Sequence, residues 1–222
     1  MRKSLTVILG ILVLAVAFAA QPQRKRPPRK KVEDKRVYLV HSDNLHYDQY
    51  RNGDAQVLHG NVHFRHQGAD LFCDSAHFYE QSNSFEAFGH VKMKQGDTLS
   101  LTSNYAYYDG NDQLAQARYN VVLRHRKTTL YTDSLDYDRM YNFGNFFEGG
   151  KLVDGKTVLT SDWGEYHTDT KQAMFYYDVR LKDKKLYLTT DSLFYDTKTS
   201  RAHIVGPSNI TSGSSHIYSQ CL

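Results

Sequence analysis

Through most of this chain, residues two apart share their character, and residues three or four apart do not. In YTDSLDYD, Leu135 and Tyr137 have one parity, while Thr132, Ser134, Asp136 and Asp138 have the other. Val62 and Phe64, Val91 and Met93, Val121 and Leu123, and Val179 and Leu181 repeat the same spacing. A period of two marks a strand with one buried face. Between these runs stand YEQSNS, YDGNDQ and YDTKTS, whose Gly, Asn, Asp and Ser content suits tight turns. No long stretch carries a helical period. The pattern predicts an all-β fold with almost no helix beyond the N-terminal apolar run.

The strands recur in a fixed order. DSLDYD (Asp133–Asp138) returns as DSLFYD (Asp191–Asp196), 58 residues later. Taking the Tyr before an acidic residue or His as anchor gives Tyr47, Tyr79, Tyr108, Tyr137, Tyr166 and Tyr195, in steps of 32, 29, 29, 29 and 29. Four residues before each anchor stand Asp43, Ser75, Asn104, Asp133, Asp162 and Asp191, preceded by Ser42, Asp74, Ser103, Thr132, Ser161 and Thr190. Ala55, Ala87, Ala115, Gly144, Ala173 and Ala202 follow the anchors, and then a second motif: Gly60-Asn61-Val62, Gly89-His90-Val91, Tyr119-Asn120-Val121, Gly150-Lys151-Leu152, Tyr177-Asp178-Val179 and Ser208-Asn209-Ile210. A fixed period in this range signals a stacked architecture. Each repeat of about 29 residues would supply two strands and two turns, six times over. IYSQCL reads as the opening of an incomplete seventh.

The N-terminus has a different composition. Arg2 and Lys3 precede an uncharged run from Ser4 to Ala20, with small residues at Ala17 and Ala19. This is the layout of a secretory signal peptide over 1–19; the rival, an uncleaved anchor, would want about 20 apolar residues. Residues 20–36 form a basic, Pro-containing stretch read as a solvated linker. Its basic residues more than account for the formal net charge of +4, so the charge says little about the folded part, and a secreted chain is an unsuitable partner for nucleic acid. Residues 37–222 are then one domain. Two cysteines, Cys73 and Cys221, exclude a disulfide scaffold.

The repeated polar columns admit few chemistries. A calcium loop gathers several oxygens within one turn around a Gly, whereas each repeat here offers one or two, which suits hydrogen bonds to turn backbone. No metal and no cofactor is expected. Asp133 shares the parity of Leu135 and Tyr137, and a carboxylate in a dry core is costly; the strand must bend there, or that side is not dry. The six tyrosines are expected to fill the core as structural anchors. His59, His63 and His66 do not share one strand face and are not expected to converge on zinc. No nucleophile elbow, HExxH, P-loop or dinucleotide fingerprint occurs, and a polar column reused six times does not single out an active site. The chain reads as a non-enzyme.

With [ST]-D-x-L-x-Y-D … A … G-N-V repeated in phase, and GNVHFRHQGADLFCDSAHFYEQSNSFEAFGHVKM at Gly60–Met93, residues from about Val37 to Leu222 resemble the OstA/LptA family, in its Bacteroidetes-type OstA-like form. The resemblance implies an elongated, twisted antiparallel β-jellyroll, V-shaped and open-ended. It implies a periplasmic protein that takes lipid A acyl chains of lipopolysaccharide into its interior. It also implies partners of the same fold, LptC-like and LptD-like, joined by edge-strand pairing, with head-to-tail self-association. The candidate lining is the inward parity: Val62, Phe64, Val91, Met93, Val121, Leu123, Leu135, Val179, Leu181 and Leu193. The residues alone leave a second reading open, a secreted β-solenoid scaffold or adhesin in which these side chains close on one another.

Overall fold

Bulges, more than strand ends, set the architecture. The computed structural model describes residues 35–47 and 55–220; the leader and nearly all of the linker lie outside these. Sixteen strands run in chain order. They are β1 (Tyr38–His41), β2 (Asn44–Tyr47), β3 (Gln56–His66), β4 (Ala69–Tyr79), β5 (Ser84–Gln95) and β6 (Leu99–Asp109). Next come β7 (Leu114–His125), β8 (Thr128–Asp138), β9 (Phe143–Phe146), β10 (Gly150–Asp154) and β11 (Thr157–Ser161). The last are β12 (Trp163–His167), β13 (Gln172–Asp183), β14 (Leu186–Asp196), β15 (Arg201–Ser212) and β16 (Ser215–Ser219). All pairings are antiparallel and join the strands into one continuous sheet, in which β1 and β2 both pair with β3, β8 pairs with β9 and β10, and β13 pairs with β11 and β12. The pairs β1/β2, β9/β10 and β11/β12 are single long strands interrupted at the bend.

At mid-strand the register slips: Arg118 faces Ser134 and Val121 faces Thr132, so Tyr119 and Asn120 stand opposite Asp133 alone. The same two-against-one bulge recurs between Phe88 and Val91, Tyr176 and Val179, and His59 and Val62. Both extra residues take positive φ, as at Gly60 (78°) and Asn61 (48°), Gly89 (71°) and His90 (41°), and Tyr119 (64°) and Asn120 (55°). Such bulges bend a strand sharply. The long strands therefore fold into two halves. Residues such as 62–66, 69–73, 91–95 and 121–125 form one half-sheet; residues such as 75–79, 84–88, 105–109 and 134–138 form the other. The two face each other across one apolar core, where Phe64 of the first stacks on Phe85 of the second at 4.2 Å.

The bend answers the Asp133 conflict. Parity inverts across it, so Asp133 is exposed and accepts a hydrogen bond from the Asn120 N–H at 3.0 Å, while Leu135 and Tyr137 are fully buried. The Ser/Thr column lines the inside of the corner. Ser103, Thr132 and Ser161 donate their hydroxyls to the carbonyls of Tyr105, Gly149 and Trp163 at 2.9, 2.7 and 2.8 Å, satisfying acceptors that the bulge frees from the ladder.

Two column assignments shift. The turn Gly96–Thr98 is one residue longer than its counterpart Arg126–Lys127, so the second repeat is offset by one. Cys73 and Asp74 hold the corner positions expected of Asp74 and Ser75, and Phe78 holds the anchor position expected of Tyr79. The second motif likewise shifts in two repeats: the bulge falls before Gly150 and at Gly206-Pro207, and Gly150 and Ser208 take the place of Val62.

Candidate functional site

All ten candidate lining residues point inward and are buried, the most exposed being Leu181 at 5%. Leu135 and Leu193 belong to one half-sheet and the other eight to its partner. The half-sheet that holds the eight also carries a leucine column absent from the expected lining, Leu71, Leu101, Leu130, Leu159 and Leu188, all buried on strands that alternate with those of Phe64, Met93, Leu123 and Leu181. Its spacing follows the repeat, so the period alone would have found it. The interior runs as one apolar cluster from Val37 to Tyr195. It is filled: a void lined by Phe64, Leu71, Phe85, Met93 and Tyr108 has a volume of only about 10 Å³, near the minimum for one water.

The anchor tyrosines alternate with small residues across the sheet. Tyr108 faces Ala115, which faces Tyr137; Gly144, Tyr166, Ala173, Tyr195 and Ala202 continue the row. A large ring beside a small residue on each neighbouring strand packs without gaps. Tyr108, Tyr137, Tyr166 and Tyr195 are buried, whereas Tyr47, on the first strand, is 55% exposed and Tyr79 lies on the outer face with its hydroxyl on Glu86 at 2.9 Å.

These four hydroxyls close the margin opposite the bend. Each tyrosine stands just before a turn of its half-sheet, and each meets a polar group from the turn side of the structure. His66 lies 2.7 Å from the Tyr108 hydroxyl and 3.1 Å from the Lys35 carbonyl, which needs a donor. Nε2 therefore carries the proton and Nδ1 accepts from Tyr108. Arg139 donates to the same hydroxyl at 2.6 Å, to Gln95 Oε1 at 3.0 Å and to the Gln67 carbonyl at 3.1 Å. Tyr137 meets Thr168 at 3.1 Å, Tyr166 meets His125 at 3.0 Å, and Tyr195 donates to Asp154 at 3.0 Å, whose other oxygen pairs with Lys127. Burial pushes all four phenols up, so they stay neutral donors. Burial, then Arg126 and Lys171, push His125 below 6.5. The turns also bond one another: the N–H groups of Gly110, Arg139, Thr168 and Thr197 donate to the carbonyls of Asn83, Gln113, Asn142 and Lys171.

The family model for OstA-like proteins matches residues 34–212. The chain belongs to the OstA-like family. No curated protein sequence matches it. One similar solved structure is LptH of Pseudomonas aeruginosa, described as the LptA-homologous periplasmic component of the lipopolysaccharide transport device. It is 15% identical, with 63% of this chain and 82% of that chain covered, at a TM-score of 0.28.

The outer faces of the OstA-like sheet differ in charge. The half-sheet containing β10 and β11 turns out Arg65, Lys92, Lys94, Arg124, Lys151, Arg180 and Lys182, against Asp70 as its strand carboxylate. The other turns out Glu86, Asp109, Asp136, Asp138, Glu165 and Asp196 against Arg118 and Arg201, with aromatics such as Tyr105, Trp163 and Phe194 among them. The histidines disperse: His59 stacks on His46, His63 bonds Asp70, and His66 turns inward. Cys73 is a buried free thiol, pushed up to about 12 by burial. Among the described residues no three His, Cys, Asp or Glu side chains gather as a metal site.

Proposed function

We propose that this chain is a periplasmic, non-enzymatic component of lipopolysaccharide export, which shields lipid A acyl chains between its half-sheets. Family membership and the unbroken apolar interior support this reading. Burying a CH₂ group stabilises by about 0.8 kcal/mol, so a fourteen-carbon chain crossing water carries a penalty on the order of 10 kcal/mol. A carrier needs a long apolar surface and no reactive group. Because the interior is filled, acyl chains enter by parting the half-sheets. The bend margin is continuous backbone, so the parting runs along the tyrosine margin.

Within the described residues the ladder begins at β1 and β2 and finishes at β16. Both borders expose apolar side chains: Val40 and Leu45 at one, Ile217 and Tyr218 at the other. Uncovered edges favour pairing with another strand. The proposed partners are further copies and proteins of the same fold, LptC-like and LptD-like, bridging the inner and outer membranes.

Photo-crosslinkers placed at Val91, Val121 and Val179 should capture lipopolysaccharide in cells, and one at the exposed Tyr187 should not. Capture at Tyr187 alone would reject the interior as the route. The filled core favours one alternative, a rigid secreted scaffold with no ligand. Added lipid A would leave the melting temperature of such a scaffold unchanged, whereas a carrier is stabilised by mass action.

A further inference from the structure

On the outer face of β5, β6 and β7, close to the tyrosine margin, a depression of about 480 Å³ is lined by Lys92, Lys94, Asp97, Thr98, Ser100, Arg124 and Arg126 among others. The ladder builds it. Lys94 faces Ser100, and Ser100 faces Arg124, so two cations flank one hydroxyl on adjacent strands, about 9.6 Å apart from strand to strand. Lys92 stands two residues before Lys94 on the same face. The Arg126 N–H is tied to the Thr98 carbonyl at 3.0 Å, which brings the two turns together. All four cations are exposed, and none pairs with a carboxylate among the described residues. Asp97 is the single carboxylate of the lining. Like charges collected without counter-charges repel one another, and a bound dianion relieves that repulsion through charge-assisted hydrogen bonds.

Beneath this depression the same three strands bury Met93, Leu101 and Leu123. A lipid whose chains lie against those residues, having entered through the tyrosine margin, has its headgroup beside the turns Gly96–Thr98 and Arg126–Lys127. We propose that Lys92, Lys94, Arg124 and Arg126, with the hydroxyls of Ser100 and Thr98, hold a phosphate monoester on the sugar headgroup of the carried lipid. This rests on the carrier reading above and names the part of the ligand that is recognised outside the core.

The test compares lipid A bearing its phosphates with the same lipid after enzymatic dephosphorylation, both in detergent, on the full mature chain. Three proteins are used: wild type, K92Q/K94Q/R124Q/R126Q, and a control with the same charge change elsewhere, K156Q/K184Q/K185Q/K198Q. Matching circular dichroism spectra and melting temperatures establish that all three fold. Wild type and control should bind the phosphorylated lipid about tenfold more tightly, more so at low salt. The quadruple variant should lose that preference yet keep wild-type affinity for the dephosphorylated lipid. A preference that survives in the quadruple variant, or vanishes equally in the control, overturns the site while leaving the carrier reading intact. Wild type that binds neither lipid overturns both. Phosphatidylglycerol vesicles supply a further arm: if the quadruple variant loses vesicle binding but not lipid A preference, the cations serve a membrane surface and the proposal fails.

Discussion

The two long margins of this molecule are built from different materials. At the bend, the half-sheets are one backbone, creased by paired left-handed residues and locked by Asp and Ser/Thr side chains. At the turns, the half-sheets are separate and are held by phenol, imidazole, guanidinium and carboxylate contacts. The first margin is a hinge that cannot detach, and the second is a clasp of individually modest hydrogen bonds. A sheet that must admit something can open only along the clasp.

The largest effect that sharpens this contrast is expected at Phe78, the rung where the clasp has no hydroxyl and relies on packing alone. Phe78→Ala should cost about 3–5 kcal/mol in chemical denaturation, while Tyr79→Phe, on the outer face, should change stability by no more than about 0.5 kcal/mol. At the hinge, a Cβ on Gly89 would collide with the Asp74 carboxylate, at a backbone φ of 71°. Gly89→Val should therefore cost about 3 kcal/mol and lower the melting temperature of the whole domain. At the clasp, Tyr108→Phe should cost about 1–3 kcal/mol, and hydrogen exchange should quicken at the turns near Gln67 and Arg139 while the bend stays protected. Equal acceleration at both margins would remove the distinction between them.

The smallest effect is a pH dependence. Folded His125 sits below 6.5, so between that value and its folded pKa the unfolded chain takes up a proton that the folded state resists. Its contribution to stability is present above about pH 6.5 and declines as pH falls below it. His125→Gln should narrow the gap between melting temperatures measured at pH 7.5 and pH 5.5.

The strands, their antiparallel turns and the period were legible because each is a local pattern that tertiary packing reinforced. The parity conflict at Asp133 was itself a sign of the bend. The slip in the second repeat was hidden because Tyr79-Glu80 mimics the anchor one place after Phe78, masking the extra residue in Gly96–Thr98. The clasp was not legible at all. His66 and Tyr108 lie 42 residues apart, and Arg139 reaches Gln67 across 72, so no local spacing links them. Arg139 gave one faint signal, a cation in the turn column where Gly110, Thr168 and Thr197 stand.

Strict nearest-neighbour pairing makes the length of this protein adjustable in fixed increments. Excising residues 128–156 would join Lys127 to Thr157 and bring β11 to the place of β8, with every remaining side chain keeping its inward or outward aspect. The ladder would shorten by two strands, roughly 9.6 Å. A gene that gains or loses such a cassette changes the length of the ladder without redesigning either surface, whereas changing a strand by one residue would turn its core outward.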